Sequence, residues 1–260
     1  MTAAATPCGA ARLRAVLRSE RPALATWVNV PSAAVVEALA GPAARGGLDA
    51  VILDAQHAPF APPLLAEAIR AADLVGLAAL VRVGVGDLRG AELALDQGAA
   101  GIVFPCVGSA AESAAAAAAC RYPPEGTRSF GGPRALTGRL GSGRGDEAPV
   151  VVVQIETAAG LEAAEGILGA PGVDVVFPGP VDLGLSLGLG ASYATFQEIA
   201  TALAPTLERL EALAATAGVA VMRHCETPEA VQAAAAAGCR LIGYQSDLGL
   251  LGRWASPLGG

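Results

Sequence analysis

Lysine is absent from this chain: all 17 of its basic residues are arginine. A Schiff base to a carbonyl substrate needs a primary amine, so imine chemistry through a lysine side chain is excluded. Histidine is nearly as scarce, with only His57 and His224. Imidazole acid–base roles are therefore confined to two positions. Charged residues make up only 16% of the 260 residues, aromatics only 4%, and the net charge is −7. No run of basic residues and no interleaving of basic with aromatic residues occurs, which argues against nucleic-acid and anionic-membrane partners. No apolar stretch reaches the roughly 18 residues of a membrane-spanning helix. Arg12, Arg14 and Arg18 fall in an amphipathic helical pattern with no signal-peptide core behind them. The five cysteines, Cys8, Cys106, Cys120, Cys225 and Cys239, are scattered without CxxC spacing. They read as reduced thiols of a cytoplasmic protein, not as a disulfide framework or a zinc site. Cys106, after Phe104-Pro105, is the one placed to line a pocket; a small core or rim residue is the plainer reading.

Short apolar, β-branched runs are what the chain has in quantity. Eight read as strands: Leu24 to Asn29, Ala50 to Asp54, Ala79 to Val83, Gly101 to Phe104, Val150 to Glu156, Asp174 to Phe177, Val219 to Arg223 and Arg240 to Tyr244. Such runs suit strands buried on both faces, as in a parallel sheet. Helix-length segments separate them. Ser32, Asp87, Ser109 and Thr227 stand at N-cap positions, Pro62-Pro63 opens one helix, and Thr157 precedes a helix through Leu168. Gly98, Gly172, Gly218 and Gly238 follow helix ends. Strict βα alternation, eight times over, predicts an α/β fold: a single closed (β/α)₈ barrel across residues 1–260. An open doubly wound sheet would normally carry a Gly-rich loop after its first strand, and Asn29-Val30-Pro31-Ser32 is not one. Two irregular parts remain, a long loop at 121–149 and a short C-terminal helix and tail at 247–260. A loop that long is usually functional.

In such a barrel the carboxyl ends of the strands form one face, and ligands bind there. Asp54 and His57 follow the second strand, Arg82 ends the third, and Gln154 and Glu156 share one side of the fifth. Asp182 follows the sixth, in Phe177-Pro178-Gly179-Pro180-Val181-Asp182-Leu183. The long loop is expected to add Arg128 and Arg134 to the same face. Two acids at neighbouring strand ends, flanked by Gly and Pro, make an oxygen site suited to a hard divalent cation. His224 ends strand seven, with catalytic and structural readings evenly matched. Asp54 and Asp96 are candidates for orienting or charging His57; Asp96 serves equally well as a helix-end or loop hydrogen-bonding residue.

Taken in order, Asp54-x-x-His57-Ala58-Pro59, Val81-Arg82-Val83, Arg121-Tyr122-Pro123-Pro124-x-Gly126-x-Arg128, Gln154-Ile155-Glu156-Thr157 and Gly179-Pro180-x-Asp182-Leu183 resemble the HpcH/HpaI aldolase family over roughly residues 10 to 250. The resemblance implies a barrel of the phosphoenolpyruvate/pyruvate type and a class II, metal-dependent pyruvate aldolase. It implies that Glu156 and Asp182 hold Mg²⁺ or Mn²⁺, with Co²⁺ a further candidate. Arg82 would stabilise the enolate, His57 would act as acid/base, Gln154 would contact the keto acid, and the backbone of Gly179, Pro180 and Val181 would take its carboxylate. The substrates would be pyruvate or oxaloacetate and an aldehyde, and the assembly a homotrimer or homohexamer. Two alternatives stand beside it. One is related enolate chemistry, such as oxaloacetate decarboxylation with carbon–carbon bond formation or acyl-CoA cleavage. The other is a non-catalytic barrel serving as a binding or assembly partner. The chain departs from the pattern in having Gln56 where a Glu is usual, Gly184 where a Ser is frequent, an abbreviated segment from Gly188 to Tyr193, and a short tail.

Overall fold

The computed structural model describes residues 8–137, 142–189 and 196–254. Eight parallel strands close into a barrel in chain order: β1 (Ala23–Val28), β2 (Ala50–Asp54), β3 (Ala78–Arg82), β4 (Gly101–Phe104), β5 (Val150–Ile155), β6 (Val175–Pro178), β7 (Ala220–Cys225) and β8 (Leu241–Ser246). β8 pairs with β1 and seals the ring. Each expected strand is present within two residues of its bounds.

The period of two divides the apolar residues between two cores. Ala25 and Trp27 of β1, Ile52 of β2, Leu80 of β3, Val152 of β5, Phe177 of β6 and Met222 of β7 fill the barrel interior. Their neighbours Val51, Leu53, Val81, Ile102, Val151, Val153 and Val176 face outward and pack under the helices. The same parity carries Asn29, Asp54, Arg82, Gln154 and His224 to the top of the interior, one layer above the apolar fill.

Helix starts follow the caps. Asp87 accepts from Gly90 N–H (2.8 Å), Ser109 from Glu112 (3.2 Å), Thr157 from Gly160 (3.0 Å) and Thr227 from Ala230 (3.2 Å). Ser32 precedes the helix Ala33–Glu37 without a side-chain cap. After Thr157 the chain forms two short helices, Ala158–Glu162 and Ala164–Leu168, instead of one, with a break at Ala163. The helix Gly9–Arg18 lies across the amino ends of the strands, where Arg14 binds Asp174 through two hydrogen bonds and also the Ala148 carbonyl. No helix of the described residues is long and apolar enough to cross a membrane. Of the segments expected to depart from the aldolase pattern, residues 190–193 and 255–260 lie outside the described residues.

Candidate active site

The top interior layer surrounds a cavity of about 240 Å³ at the carboxyl ends of the strands. One wall is built on Asp54, which is 1% exposed. Arg82, next to it across the β2–β3 ladder, donates from Nε to Asp54 Oδ1 at 2.9 Å and from Nη2 to Oδ2 at 2.7 Å. This two-point pairing suits a planar guanidinium and a carboxylate. The guanidinium carbon also stands 4.6 Å from the centroid of the Trp27 ring, an attractive cation–π contact. Asn29 Nδ2 donates to Asp54 Oδ2 at 2.9 Å. The cation is thus half-buried with its partners provided.

The opposite wall is built on Glu156, at 2% exposure. Its Oε1 accepts from the Cys106 N–H (2.8 Å) and thiol (3.3 Å), and its Oε2 from Gln154 Nε2 (2.9 Å). Cys106 reaches it from a left-handed backbone, φ 53°, just past β4. Every donor to Glu156 is neutral, and no salt bridge among the described residues reaches it. Burial therefore pushes its carboxyl above the ordinary range; the Cys106 bonds oppose the shift and nearby Asp182 adds to it. The Cys106 thiol is itself pushed up to about 12, by burial first and by the Glu156 charge second, so it stays a protonated donor. Gly179 makes the space: a Cβ there would come within 2.7 Å of Glu156 Cβ. Asp182 enters the same cavity from the first turn of the helix Pro180–Ser186. Gln154 Oε1 is buried without a hydrogen-bond partner.

A cation-carrying wall and an anionic wall now face one cavity, and known proteins share the frame that holds them. The family model for the HpcH/HpaI aldolase/citrate lyase family matches residues 26–248. A hydroxypyruvate/pyruvate aldolase of Rhizorhabdus wittichii is 38% identical over 212 residues, covering 80% of this chain and 82% of that protein. A 4-hydroxy-2-oxovalerate aldolase of Rhodococcus jostii is 35% identical over 210 residues, 78% of each. The crystal structure of an HpcH/HpaI aldolase/citrate lyase family protein from Burkholderia cenocepacia superposes with a TM-score of 0.79 at 30% identity, over 94% of this chain and 95% of that one. The chain belongs to the HpcH/HpaI family. It is an enzyme of that family's carbon–carbon lyase type.

Placed in the HpcH/HpaI frame, the expected residues divide. Arg82, Gln154, Glu156, Gly179, Pro180, Val181 and Asp182 all line the cavity. Of the three backbone groups expected to take a carboxylate, the Gly179 N–H is already given to the Ile155 carbonyl (3.1 Å) and Pro180 has none. The Val181 N–H, in the first helical turn, is the one left. His57 stands exposed in the turn after β2, outside the cavity wall. Asp54 meets His57 only at its backbone N–H (3.3 Å), because both carboxylate oxygens are engaged by Arg82. Asp96 does not meet His57: its carboxylate accepts from Arg128 at 3.0 Å. The expectation that these two acids orient the imidazole is corrected accordingly.

Arg128 and Arg134 are also corrected. Their loop leads into β5, so it lies at the amino ends of the strands, on the floor of the barrel. Arg128, 3% exposed, stacks over Tyr122, and Arg134 binds Asp73. The family-usual Glu is replaced by Gln56, whose Oε1 is buried without a partner. Gly184 has a packing reason for lacking the Ser side chain, since a Cβ there would sit 2.8 Å from Ile199 Cγ2. Sequence reasoning missed Trp27, Asn29, Phe177 and Ser246 in the wall. The period-two parity of β1 and β6 could have placed the first three. His224 lines the cavity too, with Nε2 2.6 Å from Glu226 Oε1 and its ring edge-on to Trp27.

Proposed function

We propose that the protein is a divalent-metal-dependent aldolase that makes or cleaves the carbon–carbon bond joining a pyruvate-type 2-oxo acid to an aldehyde. The observation that carries this reading is the convergence of Arg82 with Glu156 and Asp182 on a single cavity. The aldolases named above, acting on hydroxypyruvate, pyruvate and 4-hydroxy-2-oxovalerate, support the substrate class.

The residues fit a hard cation. Glu156 and Asp182 bring two carboxylates to one cavity, and an ion bound by two carboxylates would keep positions for water and substrate; no cluster of three or more His, Cys, Asp or Glu occurs among the described residues. That is the habit of Mg²⁺ and Mn²⁺, with Co²⁺ a further candidate. The unpartnered Gln154 Oε1 is an acceptor suited to a coordinated water. Glu156 and Asp182 would hold the ion, which when bound supplies positive charge at the keto oxygen.

The protein's own groups do the rest. Cleavage leaves an electron pair on the substrate that settles on the C2 oxygen of an enolate. Arg82 is aimed at that charge: Asp54 takes Nε and Nη2, leaving Nη1 as the donor to the oxygen. The Val181 N–H receives the substrate carboxylate. His57, exposed on the same face but outside the cavity wall, would take the aldol-hydroxyl proton by way of an intervening water, and the enolate carbon would take up a proton from solvent to give pyruvate. A homotrimer or homohexamer would cover the leucines of the helix Asp247–Trp254, of which Leu248 and Leu251 are each 54% exposed. Light scattering that gave a monomer at micromolar concentration would count against this assembly.

The test is direct. Protein, Mn²⁺ and pyruvate are incubated with a panel of aldehydes, and products are identified by mass spectrometry. Metal-dependent adducts are expected, together with oxaloacetate decarboxylation, which generates the same enolate. Absence of both sinks the reading. His57→Ala should suppress the aldol reaction far more than decarboxylation, which removes no hydroxyl proton. Equal loss of the two would show the histidine's role to be wrong.

A further inference from the structure

We propose that Asn29 is a positioning residue for Arg82, and that it is itself anchored by Asp247 at the start of the last helix. The functional side of this rests on the reading of Arg82 as the cation that meets the enolate. The placement rests on hydrogen bonds alone.

The argument starts at β8. Between Ala25 and Trp27 the β1–β8 register shifts, and Gln245 takes a left-handed backbone, φ 55°. The irregularity brings Asp247 to the end of β1, where the ladder has run out. Its carboxylate accepts from the Asn29 N–H (2.9 and 3.1 Å), the Val30 N–H (2.8 Å) and the Leu248 N–H (2.8 Å). A side chain therefore stands in for missing strand carbonyls, and the backbone of Asn29 is pinned. Asn29 lines the cavity, and its amide donates to Asp54 Oδ2. The other donors to Asp54 are Arg82 itself and two N–H groups of its own turn, Gln56 at 3.2 Å and His57 at 3.3 Å. Both of those bonds are long and fall on Oδ1. Among the described residues Asn29 is thus the one fixed support for Oδ2, the oxygen that receives Arg82 Nη2 at 2.7 Å. Remove it, and the Asp54–Arg82 pair keeps only the two long bonds to Oδ1 and the Trp27 ring, so that it can tilt about the Asp54 side chain and carry Nη1 off its target.

The experiment has two independent readouts, both on the full-length, Mn²⁺- or Mg²⁺-supplemented protein. The first is solvent exchange of the Arg82 Nε–H, followed by NMR on arginine-labelled, Mg²⁺-supplemented protein and assigned with Arg82→Lys. The second is turnover, measured as deuteration of the pyruvate methyl group and as oxaloacetate decarboxylation. In Asn29→Ala the Arg82 Nε–H should exchange faster, and kcat should fall by about ten- to a hundredfold, the cost of misplacing a reacting group by an ångström or less. KM for pyruvate should change by less than about threefold, because the interaction that Asn29 supports is made to the transition state. Asn29→Asp guards against a folding defect and adds a signature that a merely structural role would not produce. Protonated, the new carboxyl can donate to Asp54 as the amide does; ionised, it repels it. Its activity relative to the parent should therefore stand near unity at acidic pH and fall as pH rises, while that of Asn29→Ala stays flat. The proposal is overturned if Arg82 Nε–H exchange in Asn29→Ala matches the parent. It is overturned equally if exchange quickens with turnover unchanged, or if the Asn29→Asp loss is the same at every pH. Full activity in Arg82→Ala would instead overturn the enolate reading, leaving Nε–H exchange to judge the placement of Arg82.

Discussion

Asp54 and Glu156 are the same functional group at equivalent depth on opposite walls of one cavity. Each ends or follows a strand on the same barrel face, and they are 1% and 2% exposed. Their surroundings are opposite. Asp54 is matched to a guanidinium at two points, whereas Glu156 receives only neutral donors. A buried carboxylate with its countercharge built in is a clamp. One with neutral donors and a raised affinity for protons is a group waiting for a cation. On the proposed reading the two carboxylates divide the work, Asp54 holding Arg82 and Glu156 a metal, and each half can be broken alone.

The largest effect expected is on metal binding. Glu156→Gln should weaken Mn²⁺ by more than the roughly ten- to hundredfold that outer-shell changes cost, and turnover should fall with it. Asp54→Asn should leave Mn²⁺ affinity close to the parent value. Calorimetric titration that showed the two variants alike would erase the distinction. Next comes stability. Asp54→Asn leaves the half-buried Arg82 cation without its counterion, a loss of about 3 kcal/mol, or a melting temperature lower by about 6–12 °C for a domain of this size. Differential scanning fluorimetry showing no drop would mean that the pair is weaker than its geometry.

Metal should act on stability in the opposite sense. Mn²⁺ at about 100 times its dissociation constant should stabilise the parent by about 2.7 kcal/mol and Glu156→Gln hardly at all. The smallest effect is the most diagnostic. With its folded pKa raised, Glu156 favours folding below the unfolded carboxylate value near pH ~4.3, and that contribution is lost as pH rises through the folded value. Metal-free Glu156→Gln should therefore melt slightly above the parent at neutral pH, with the gain fading on acidification. A gain that grew on acidification would reverse the assignment.

Much of this arrangement was legible from residues alone. Buried β-branched runs such as Val150 to Val153 can be little other than parallel strands, and a strand's carboxyl end fixes which face Glu156, Asp182 and Arg82 share. The remainder was hidden for physical reasons. Trp27 and Phe177 carry letters that fit a core equally well; strand parity puts them in the barrel interior but does not say that they stand in its top layer, against the cavity. The backbone of Cys106 could not be foreseen, because a left-handed cysteine has no sequence signature. Arg128 and Arg134 were misplaced because the direction of the connection, helix into strand, puts their loop on the floor. Asp54 was assigned to the nearer histidine when a guanidinium across the ladder offered two bonds instead of one.

The seal between β8 and β1 has a consequence for how the protein is made. The first strand leaves the ribosome more than 200 residues before the last. Until β8 arrives, β1 presents an unpaired edge, the kind of surface on which chains join one another wrongly. Asp247 follows β8 directly and is the residue that secures Asn29. A nascent chain thus holds Asp54, Arg82 and Glu156 long before β8 and Asp247 are there to close the ring beside Asn29.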